Sequence, residues 1–276
     1  MSIVPQQLFR MGGGFFLIAG PCVLESDELN LAVAERLAEV ASELRLPIIY
    51  KASFDKANRS KADAARGPGL ERGLRQLERV KRESGLPVLT DVHEAEQAAV
   101  VAEVCDVLQV PAFLGRQTDL VQACARTGRA VNIKKGQWMA PEEMRGAVAK
   151  CRAEGAESIA VTERGTFLGY GDLVVDMRSF ARMRAATGVP AIFDGTHSVQ
   201  QPGRADGASG GTPEFIPSLV RAAVAAGADG LFLETHPHPH TAPSDSTNML
   251  VLEQLPQLLR EVLEIRAVVA REPAHA

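Results

Sequence analysis

Pro47–Ala52 (PIIYKA) and Pro87–Val92 (PVLTDV) are short apolar runs that turn polar near their carboxyl ends. Between them Leu70, Leu74 and Leu77 recur at helical spacing. Short, nearly continuous apolar runs are typical of strands buried on both faces of a parallel sheet. A helix that connects two such strands completes a βαβ unit. The sequence from residue 47 to residue 92 therefore predicts one strand–helix–strand repeat.

The same alternation extends along the whole chain. Helical periodicity recurs between the runs, with Ser26 or Asp27 as the N-cap of one helix and Met249–Arg271 as the last helix despite Pro256. Eight units predict an α/β fold, a single-domain (β/α)8 TIM barrel over residues 1–276 with an N-terminal extension at residues 1–14. A doubly wound open sheet is the alternative, but it rarely contains so many regular units. Six further apolar runs carry this prediction: Phe15–Gly20 (FFLIAG), Val107–Ala112 (VLQVPA), Ala130–Lys135 (AVNIKK), Ser158–Gly165 (SIAVTERG), Pro190–His197 (PAIFDGTH) and Gly230–Pro237 (GLFLETHP).

Composition excludes several classes of protein. Lys and Arg total 30 against 34 Asp and Glu, a net charge of −4, so there is no basic excess for nucleic acid or an anionic membrane. No apolar run approaches the ~20 residues of a membrane span, and the first ten residues lack the apolar region of a signal peptide. Four cysteines are too few for a disulfide scaffold in a chain of 276 residues. We expect a cytoplasmic protein without nucleic-acid or membrane partners.

Polar residues follow every predicted strand. Because the active sites of TIM barrels lie at the carboxyl ends of the strands, these residues are expected to converge. Residues 51–66 carry five positive side chains, and Lys134 and Arg164 emerge from otherwise apolar strands. Lys and Arg are the usual ligands of phosphate and carboxylate, so a pocket for anionic small molecules is favoured over a solvated charged loop.

A second group contains Cys22, His197, Glu234 and Asp245, which follow strands one, seven and eight. These strands are neighbours in a closed barrel, and mixed sulfur, nitrogen and oxygen ligands suit Zn²⁺, Fe²⁺ or Mn²⁺. A lone cysteine is more often a small buried apolar residue, so spacing alone leaves both interpretations open. The HPHPH run at residues 236–240 is interpreted as a solvated loop, since its prolines prevent a shared helix face.

Several motifs together resemble one enzyme family, 3-deoxy-D-manno-octulosonate 8-phosphate synthase. The resemblance runs from about Gly20 to Asn248. It implies a (β/α)8 barrel, usually a homotetramer, that condenses phosphoenolpyruvate with D-arabinose 5-phosphate and water and releases phosphate. The product is the precursor of a sugar of lipopolysaccharide. The motifs are Lys51–Ser60 (KASFDKANRS), Leu89–Glu94 (LTDVHE), Pro111–Leu120 (PAFLGRQTDL), Asn132–Gln137 (NIKKGQ), Phe193–Gln200 (FDGTHSVQ) and Phe232–Pro237 (FLETHP).

The resemblance implies a role for each matching residue. Arg116 would reach the sugar phosphate of a neighbouring subunit. Phosphoenolpyruvate would be held by Lys56, Gln109, the Ala112 backbone, Lys134 and Arg164, and arabinose 5-phosphate by Asn58, Arg59 and Ser60. The catalytic set would be Lys51, Lys56, Asp91, His93, Lys134 and His197.

Gly20-Pro21-Cys22 is typical of the metal-requiring members of this family, whose divalent Zn²⁺, Fe²⁺ or Mn²⁺ would be bound by Cys22, His197, Glu234 and Asp245. Here Asp245 is followed by Ser-Thr where relatives commonly have Gly-Pro, so its loop is expected to sit differently.

Two other functions remain open. The first is 3-deoxy-D-arabino-heptulosonate 7-phosphate synthase, which shares the barrel and the Gly-Pro-Cys motif but typically carries Lys-Pro-Arg-Thr-Ser where this chain has residues 56–60 (KANRS). The second is a barrel that only binds a phosphorylated ligand as a sensor. A pure binder has no need of a metal set, which argues against the second.

Overall fold

The computed structural model describes residues 3–58, 64–168, 171–205 and 208–269. In these residues eight parallel strands close into a barrel, since β1 pairs with both β2 and β12. Phe16 lies opposite Gly230 in the closing pair, and Gly20 lies opposite Glu234. The predicted (β/α)8 barrel is confirmed. Its strands are β1 (Phe16–Gly20), β2 (Ile48–Lys51), β3 (Val88–Asp91), β4 (Val107–Val110), β5 (Ala130–Lys134), β6 (Ile159–Glu163), β9 (Ala191–Asp194) and β12 (Gly230–His236).

Helices connect the barrel strands and surround them. Ser26 caps α2 as predicted, because its Oγ accepts a hydrogen bond of 3.2 Å from the Leu29 N–H. The last helix starts later than predicted, at Leu255 and not at Met249. Pro256 thereby lies in the first turn, where the missing N–H costs no hydrogen bond. The helices are α1 (Pro5–Leu8), α2 (Asp27–Leu44), α3 (Leu70–Ser84), α4 (Gln97–Val104), α5 (Thr118–Arg126), α6 (Met144–Ala153), α7 (Ser179–Thr187), α8 (Ile216–Ala225) and α9 (Leu255–Val269).

Additional short strands lie beyond the carboxyl ends of the barrel strands. β7 (Thr166–Phe167) and β8 (Leu173–Val174) form an antiparallel pair after β6. β10 (Gln200–Ala205) and β11 (Ala208–Gly211) form another after β9. A last strand, β13 (Leu250–Val251), pairs with the end of β12. We refer to the end of the barrel that carries these strands as the mouth.

Two apolar clusters account for the core. The larger fills the space between the barrel strands and the helices, and includes Leu37, Leu77 and Val262. The smaller lies inside the barrel at the end opposite the mouth, which we call the floor. Its buried members come from every barrel strand and from the segment before β1: Leu8, Phe9, Phe16, Ile18, Ile49, Leu89, Val107, Ala130, Ala160, Ile192 and Phe232.

The segment before β1 closes the floor. Phe9 is fully buried, and its ring centroid lies 5.3 Å from that of Phe16. The backbone N–H of Ile159 donates to the Phe9 carbonyl at 2.9 Å, and the Ser158 hydroxyl donates to the Gln6 carbonyl at 3.0 Å. The predicted extension is thus attached to the start of β6. In the described part of the chain, no helix has the length and apolarity needed to cross a bilayer.

Candidate active site

Buried charges converge on the mouth from separate strands. Lys51, at the end of β2, lies 2.6 Å from Glu234 Oε1 on β12 and 3.9 Å from Asp91 Oδ2 on β3. Its Nζ also donates to the Cys22 carbonyl at 3.0 Å. Lys56 Nζ lies 3.9 Å from the same Glu234 oxygen. Buried charges are costly unless they are paired, so this clustering is not explained by solubility or by packing.

A chain of hydrogen bonds crosses four neighbouring strands inside the mouth. The Gln109 side-chain amide donates to Asp91 Oδ1, and Asn132 donates to Gln109 Oε1 at 2.8 Å. Thr162 in turn donates to Asn132 Oδ1 at 2.7 Å. Burial opposes ionisation of Asp91, but the nearby lysines Lys51 and Lys56 outweigh it and hold the pKa of that carboxyl well below its usual range. Asp91 is therefore an anion.

Lys134, Asp194 and His197 form a second buried cluster. Asp194 Oδ2 accepts from Lys134 Nζ and lies 2.8 Å from His197 Nδ1, while Oδ1 accepts from the His197 backbone N–H at 2.9 Å. Lys134 Nζ also lies 3.3 Å from the centroid of the Phe232 ring. Burial lowers the pKa of Lys134 even though Asp194 opposes this shift. Asp194 orients the imidazole, so that Nε2 faces the barrel axis with Glu234 Oε2 at 3.8 Å.

Cys22, Glu234 and Asp245 bring three metal-ligand atoms within 4.8 Å of one another. Cys22 Sγ lies 2.9 Å from Asp245 Oδ2, and Glu234 Oε2 is buried without a hydrogen-bond partner. Burial, and then Asp245 and Glu234, raise the pKa of the Cys22 thiol well above its ordinary value. Two buried carboxylates beside a thiol repel one another unless a cation or protons compensate them. The three donors therefore fit a divalent metal ion. His197, the fourth predicted ligand, is not a member of this cluster, and its Nε2 lies 3.8 Å from Glu234 Oε2.

The loop that carries Asp245 was expected to sit differently because of its Ser-Thr sequence. The structure nevertheless places Asp245 at the metal-ligand cluster, with a left-handed backbone (φ 49°). Its carboxylate accepts from Asn248 Nδ2 at 3.2 Å and from Gln200 Nε2 at 2.8 Å. These contacts hold the carboxylate toward Cys22 in a loop of Ser-Thr sequence.

Arg164 lies on the side of the mouth that also carries Asp245. One guanidinium nitrogen donates to Gln200 Oε1, and NH1 is buried without a hydrogen-bond partner. Burial lowers the pKa of Arg164, although the group stays charged in any protein. A buried guanidinium with a free N–H is suited to an anionic ligand. Gln200 links this cation to Asp245.

The other predicted site residues differ in their burial and in their contacts. The His93 ring contacts Phe54 edge-on, its Nδ1 has no hydrogen-bond partner, and burial lowers its pKa.

Asn58 is exposed and is the last described residue before a gap, and the predicted sugar ligands Arg59 and Ser60 lie outside the described residues. Ala112 begins a short 3₁₀ turn after β4. Arg116 is exposed on the outer side of this segment, and its carbonyl accepts from Lys150 Nζ at 2.7 Å.

One interpretation was wrong in part. His236 is not on a solvated loop: it is buried in β12, and its Nε2 lies 3.2 Å from Glu25 Oε1. The reason is that β12 continues to residue 236, where it pairs with β13. His238 and His240 are exposed, as expected.

Sequence reasoning assigned no role to Asp194 or Gln200. Asp194 was recognisable as a polar residue at a strand end, three residues before His197. Gln200 had no such signal, because its contacts depend on the loop after β9.

Comparison with known proteins identifies the family of the chain. Residues 4–271 match the model of the DAHP synthetase I family. The 2-dehydro-3-deoxyphosphooctonate aldolase of Alkalilimnicola ehrlichii is 57% identical over 263 residues, 95% of this chain and 95% of that protein. The proteins of the same name from Trichlorobacter lovleyi and Cyanothece sp. are 54% identical (94% of this chain, 96% of that protein) and 51% identical (98% of each). With a match over nearly its whole length and relatives above half identity, the chain belongs to the DAHP synthetase I family.

Proposed function

We propose that this protein condenses phosphoenolpyruvate with D-arabinose 5-phosphate and water to give 3-deoxy-D-manno-octulosonate 8-phosphate and phosphate, a precursor for lipopolysaccharide. The observation that carries the proposal is the buried pair of cations Lys134 and Arg164 beside the Lys51–Glu234 ion pair in the mouth. The relatives named 2-dehydro-3-deoxyphosphooctonate aldolase support the same reaction, since that name describes the product.

The reaction forms one carbon–carbon bond and one carbon–oxygen bond, the latter to water, and it breaks the carbon–oxygen bond to phosphate. C3 of phosphoenolpyruvate attacks the aldehyde carbon of the pentose phosphate, whose oxygen takes up a proton. A water oxygen adds at C2 and loses a proton, and the resulting hemiketal phosphate expels phosphate to leave a ketone. Both substrates carry phosphate and repel each other in water. Lys134 and Arg164 offset that repulsion, and fixed charges in a buried site need no reorganisation during the reaction.

The proposed reaction moves protons, so the mouth needs groups that can accept a proton and groups that can donate one. Asp91 and Asp194 are held as anions by the lysines and His197, so they serve to orient cations and not to donate protons. Burial lowers the pKa of His93, which keeps its imidazole neutral, and its Nδ1 is free, so this residue suits a proton acceptor. The Lys51–Glu234 pair fixes the position of both side chains in the mouth.

We further propose a divalent ion, Zn²⁺, Fe²⁺ or Mn²⁺, held by Cys22, His197, Glu234 and Asp245. The support is the crowding of three ligand atoms within 4.8 Å and the unpaired Glu234 Oε2. When bound, such an ion supplies Lewis-acid polarisation of an oxygen atom. Asp194 keeps the His197 ring in the orientation that a ligand requires, as carboxylates commonly do behind metal-bound histidines.

A homotetramer in the cytoplasm, with Arg116 reaching a neighbour's sugar phosphate, completes the proposal. Arg116 is exposed, and nearby Phe113 and Trp138 stack at 6.0 Å while remaining 50% and 48% exposed. Exposed aromatic pairs are typical of subunit interfaces. The proposed substrates are charged metabolites of the cytoplasm, which supports that location.

One experiment separates the proposed reaction from its alternatives. Phosphate release from phosphoenolpyruvate is measured with arabinose 5-phosphate and, separately, with erythrose 4-phosphate. We expect efficient turnover with the pentose phosphate and a much lower kcat/KM with the tetrose phosphate. Equal or higher kcat/KM with erythrose 4-phosphate indicates the heptulosonate synthase instead. Binding without turnover of either sugar indicates a sensor.

A further inference from the structure

A buried ion pair lies directly behind the two phosphate-binding cations. Lys135 and Glu163 are both fully buried, and Lys135 Nζ lies 3.3 Å from Glu163 Oε1. No role in catalysis or binding follows for either residue from the site described above. Burying two charges at this position is costly and calls for an explanation.

Lys135 connects the segments that follow β5 and β6. Its Nζ is 3.3 Å from the carbonyls of Gly136 and Met139, both in the loop after β5. It also lies 3.2 Å from Thr166 Oγ1, beyond β6. Glu163 Oε1 in turn accepts the Gly165 N–H at 2.8 Å. The pair therefore fixes two loops to each other at their origin.

Each member of the pair is a direct chain neighbour of a substrate-binding cation. Lys135 follows Lys134, and Glu163 precedes Arg164. Successive residues of a strand point to opposite sides, so Lys134 and Arg164 face the mouth while their neighbours face away from it. The backbone N–H of Lys135 donates to the Thr162 carbonyl at 2.8 Å and continues the β5–β6 pairing up to this point.

We infer that Lys135 and Glu163 are positioning residues for phosphoenolpyruvate, which set the distance between Lys134 and Arg164. This inference rests on the proposed function. Long flexible cations bind a small dianion tightly only when their backbone positions are fixed, and a displacement of about 1 Å can cost about 100-fold in rate. The Arg164 guanidinium donates to Gln200 through one nitrogen, whereas NH1 has no protein partner. Its position therefore depends on Gln200 and on the backbone at Glu163 and Gly165.

A role in stability and a role in positioning lead to different expectations for the pair. Replacing both members of a buried ion pair by apolar side chains of similar size is often neutral for stability, whereas removing one member is destabilising. A pair that serves packing only should thus be replaceable as a unit. A pair that positions substrate ligands should not.

The test uses Lys135→Met, Glu163→Met and the double variant Lys135→Met/Glu163→Met. Thermal unfolding, KM for both substrates, and direct binding of phosphoenolpyruvate by calorimetry are measured. We expect the single variants to lose stability and the double variant to regain most of it. In the double variant the KM and Kd for phosphoenolpyruvate should stay about tenfold or more above wild type, with the KM for arabinose 5-phosphate changed less than about threefold. Lys135→Arg should retain part of the affinity.

A matched control removes a lysine ion pair at the floor. Lys81 Nζ lies 2.8 Å from Asp106 Oδ1 and donates to the Val104 carbonyl at 3.1 Å. Lys81→Met should lower stability and leave both KM values unchanged. A double variant at 135 and 163 that binds phosphoenolpyruvate like wild type would overturn the inference, as would equal rises of the two KM values. If wild type binds phosphoenolpyruvate but turns over no aldose phosphate, the proposed reaction fails while calorimetry still decides this inference.

Discussion

The two ends of the barrel are built from the same strands but are held together by different interactions. At the floor a cluster of buried apolar side chains from all eight strands fills the barrel, and Phe9 covers its end. At the mouth, a few residues further along the same strands, the inward side chains are charged or hydrogen-bonded. Phe232 marks the boundary on β12, since its ring belongs to the floor cluster while Lys134 Nζ lies over its face. Two residues later the same strand presents Glu234.

This contrast separates stability from activity along the barrel axis. Burial of apolar area at the floor is strongly favourable, whereas the desolvation of the charges at the mouth opposes their attraction. The floor therefore stabilises the fold. Holding cations and carboxylates away from water at the mouth costs free energy, and the apolar burial at the floor offsets that cost. Substitutions at the two ends should affect different measurements.

Phe9→Ala is the largest test of the floor. Loss of a fully buried phenylalanine should lower the free energy of unfolding by about 3–5 kcal/mol, because a cavity remains under the barrel. The kcat/KM per folded molecule should be unchanged. Denaturant unfolding and phosphate release check both statements. The half-exposed Phe215 is the matched control, and Phe215→Ala should lower the free energy of unfolding by less than about 1 kcal/mol. An equally small loss for Phe9→Ala would show that the floor is not the stabilising end.

Removal of the proposed metal tests the mouth. Chelation, or Cys22→Ala, should lower turnover by about 100-fold or more, and metal content by elemental analysis should fall in parallel. The softest ligand is the thiolate, so its loss should release Zn²⁺ or Fe²⁺ first. Cys124→Ala, at a buried cysteine between helices, should keep metal and activity. Full activity in protein shown to be free of metal contradicts the proposed ion.

Arg116→Ala tests the outer edge of the mouth. A lost charge-assisted phosphate contact should cost about 2–3 kcal/mol, or about 30- to 150-fold in kcat/KM for arabinose 5-phosphate, with little change in phosphoenolpyruvate binding. Mixing these chains with Lys134→Met chains should restore part of the activity in hybrid oligomers. If verified hybrids recover nothing, each site is complete within one subunit.

The smallest effect concerns acid stability at the mouth. Burial opposes ionisation of Asp194, but His197 and Lys134 hold its pKa below the ordinary range. Below about pH 4 the unfolded chain binds a proton at this residue and the folded chain does not, so stability is lost as the pH falls. Asp194→Asn should reduce the slope of unfolding free energy against pH by at most about 1.4 kcal/mol per unit between about pH 2.5 and 3.5. An unchanged slope would show that Asp194 is not held as an anion.

The barrel was predictable from sequence because its strands are marked by hydropathy. The predicted run Pro87–Val92 contains the observed strand Val88–Asp91, and the polar residue at the end of each run does face the mouth at Lys51, Asp91 and Glu234. The short strands β7 and β8 were not predicted. They contain two residues each and are defined by hydrogen bonds, which leave no periodic pattern.

The sequence predicted which residues belong to the candidate site better than it predicted the contacts between them. Cys22, Glu234 and Asp245 were grouped from strand order, and the structure brings their ligand atoms together. The links made by Gln200 and Lys135 were not predictable, because they depend on how loops after β5, β6 and β9 approach one another. Side-chain chemistry marks which residues can act, whereas loop geometry decides which of them meet.

The closure of the floor has a consequence for synthesis of the chain. Gln6 and Phe9 leave the ribosome early, but Ser158, the partner of Gln6, is 152 residues further along. At about 5–20 residues per second, the apolar side chains of this segment wait about 8–30 s for their binding site. During that interval Leu8 and Phe9 have no strand layer to cover them, since the floor cluster draws residues from strands as late as β12. This segment is thus made well before the strands that bury it, and a nascent chain of this protein exposes a short apolar segment that a chaperone can bind.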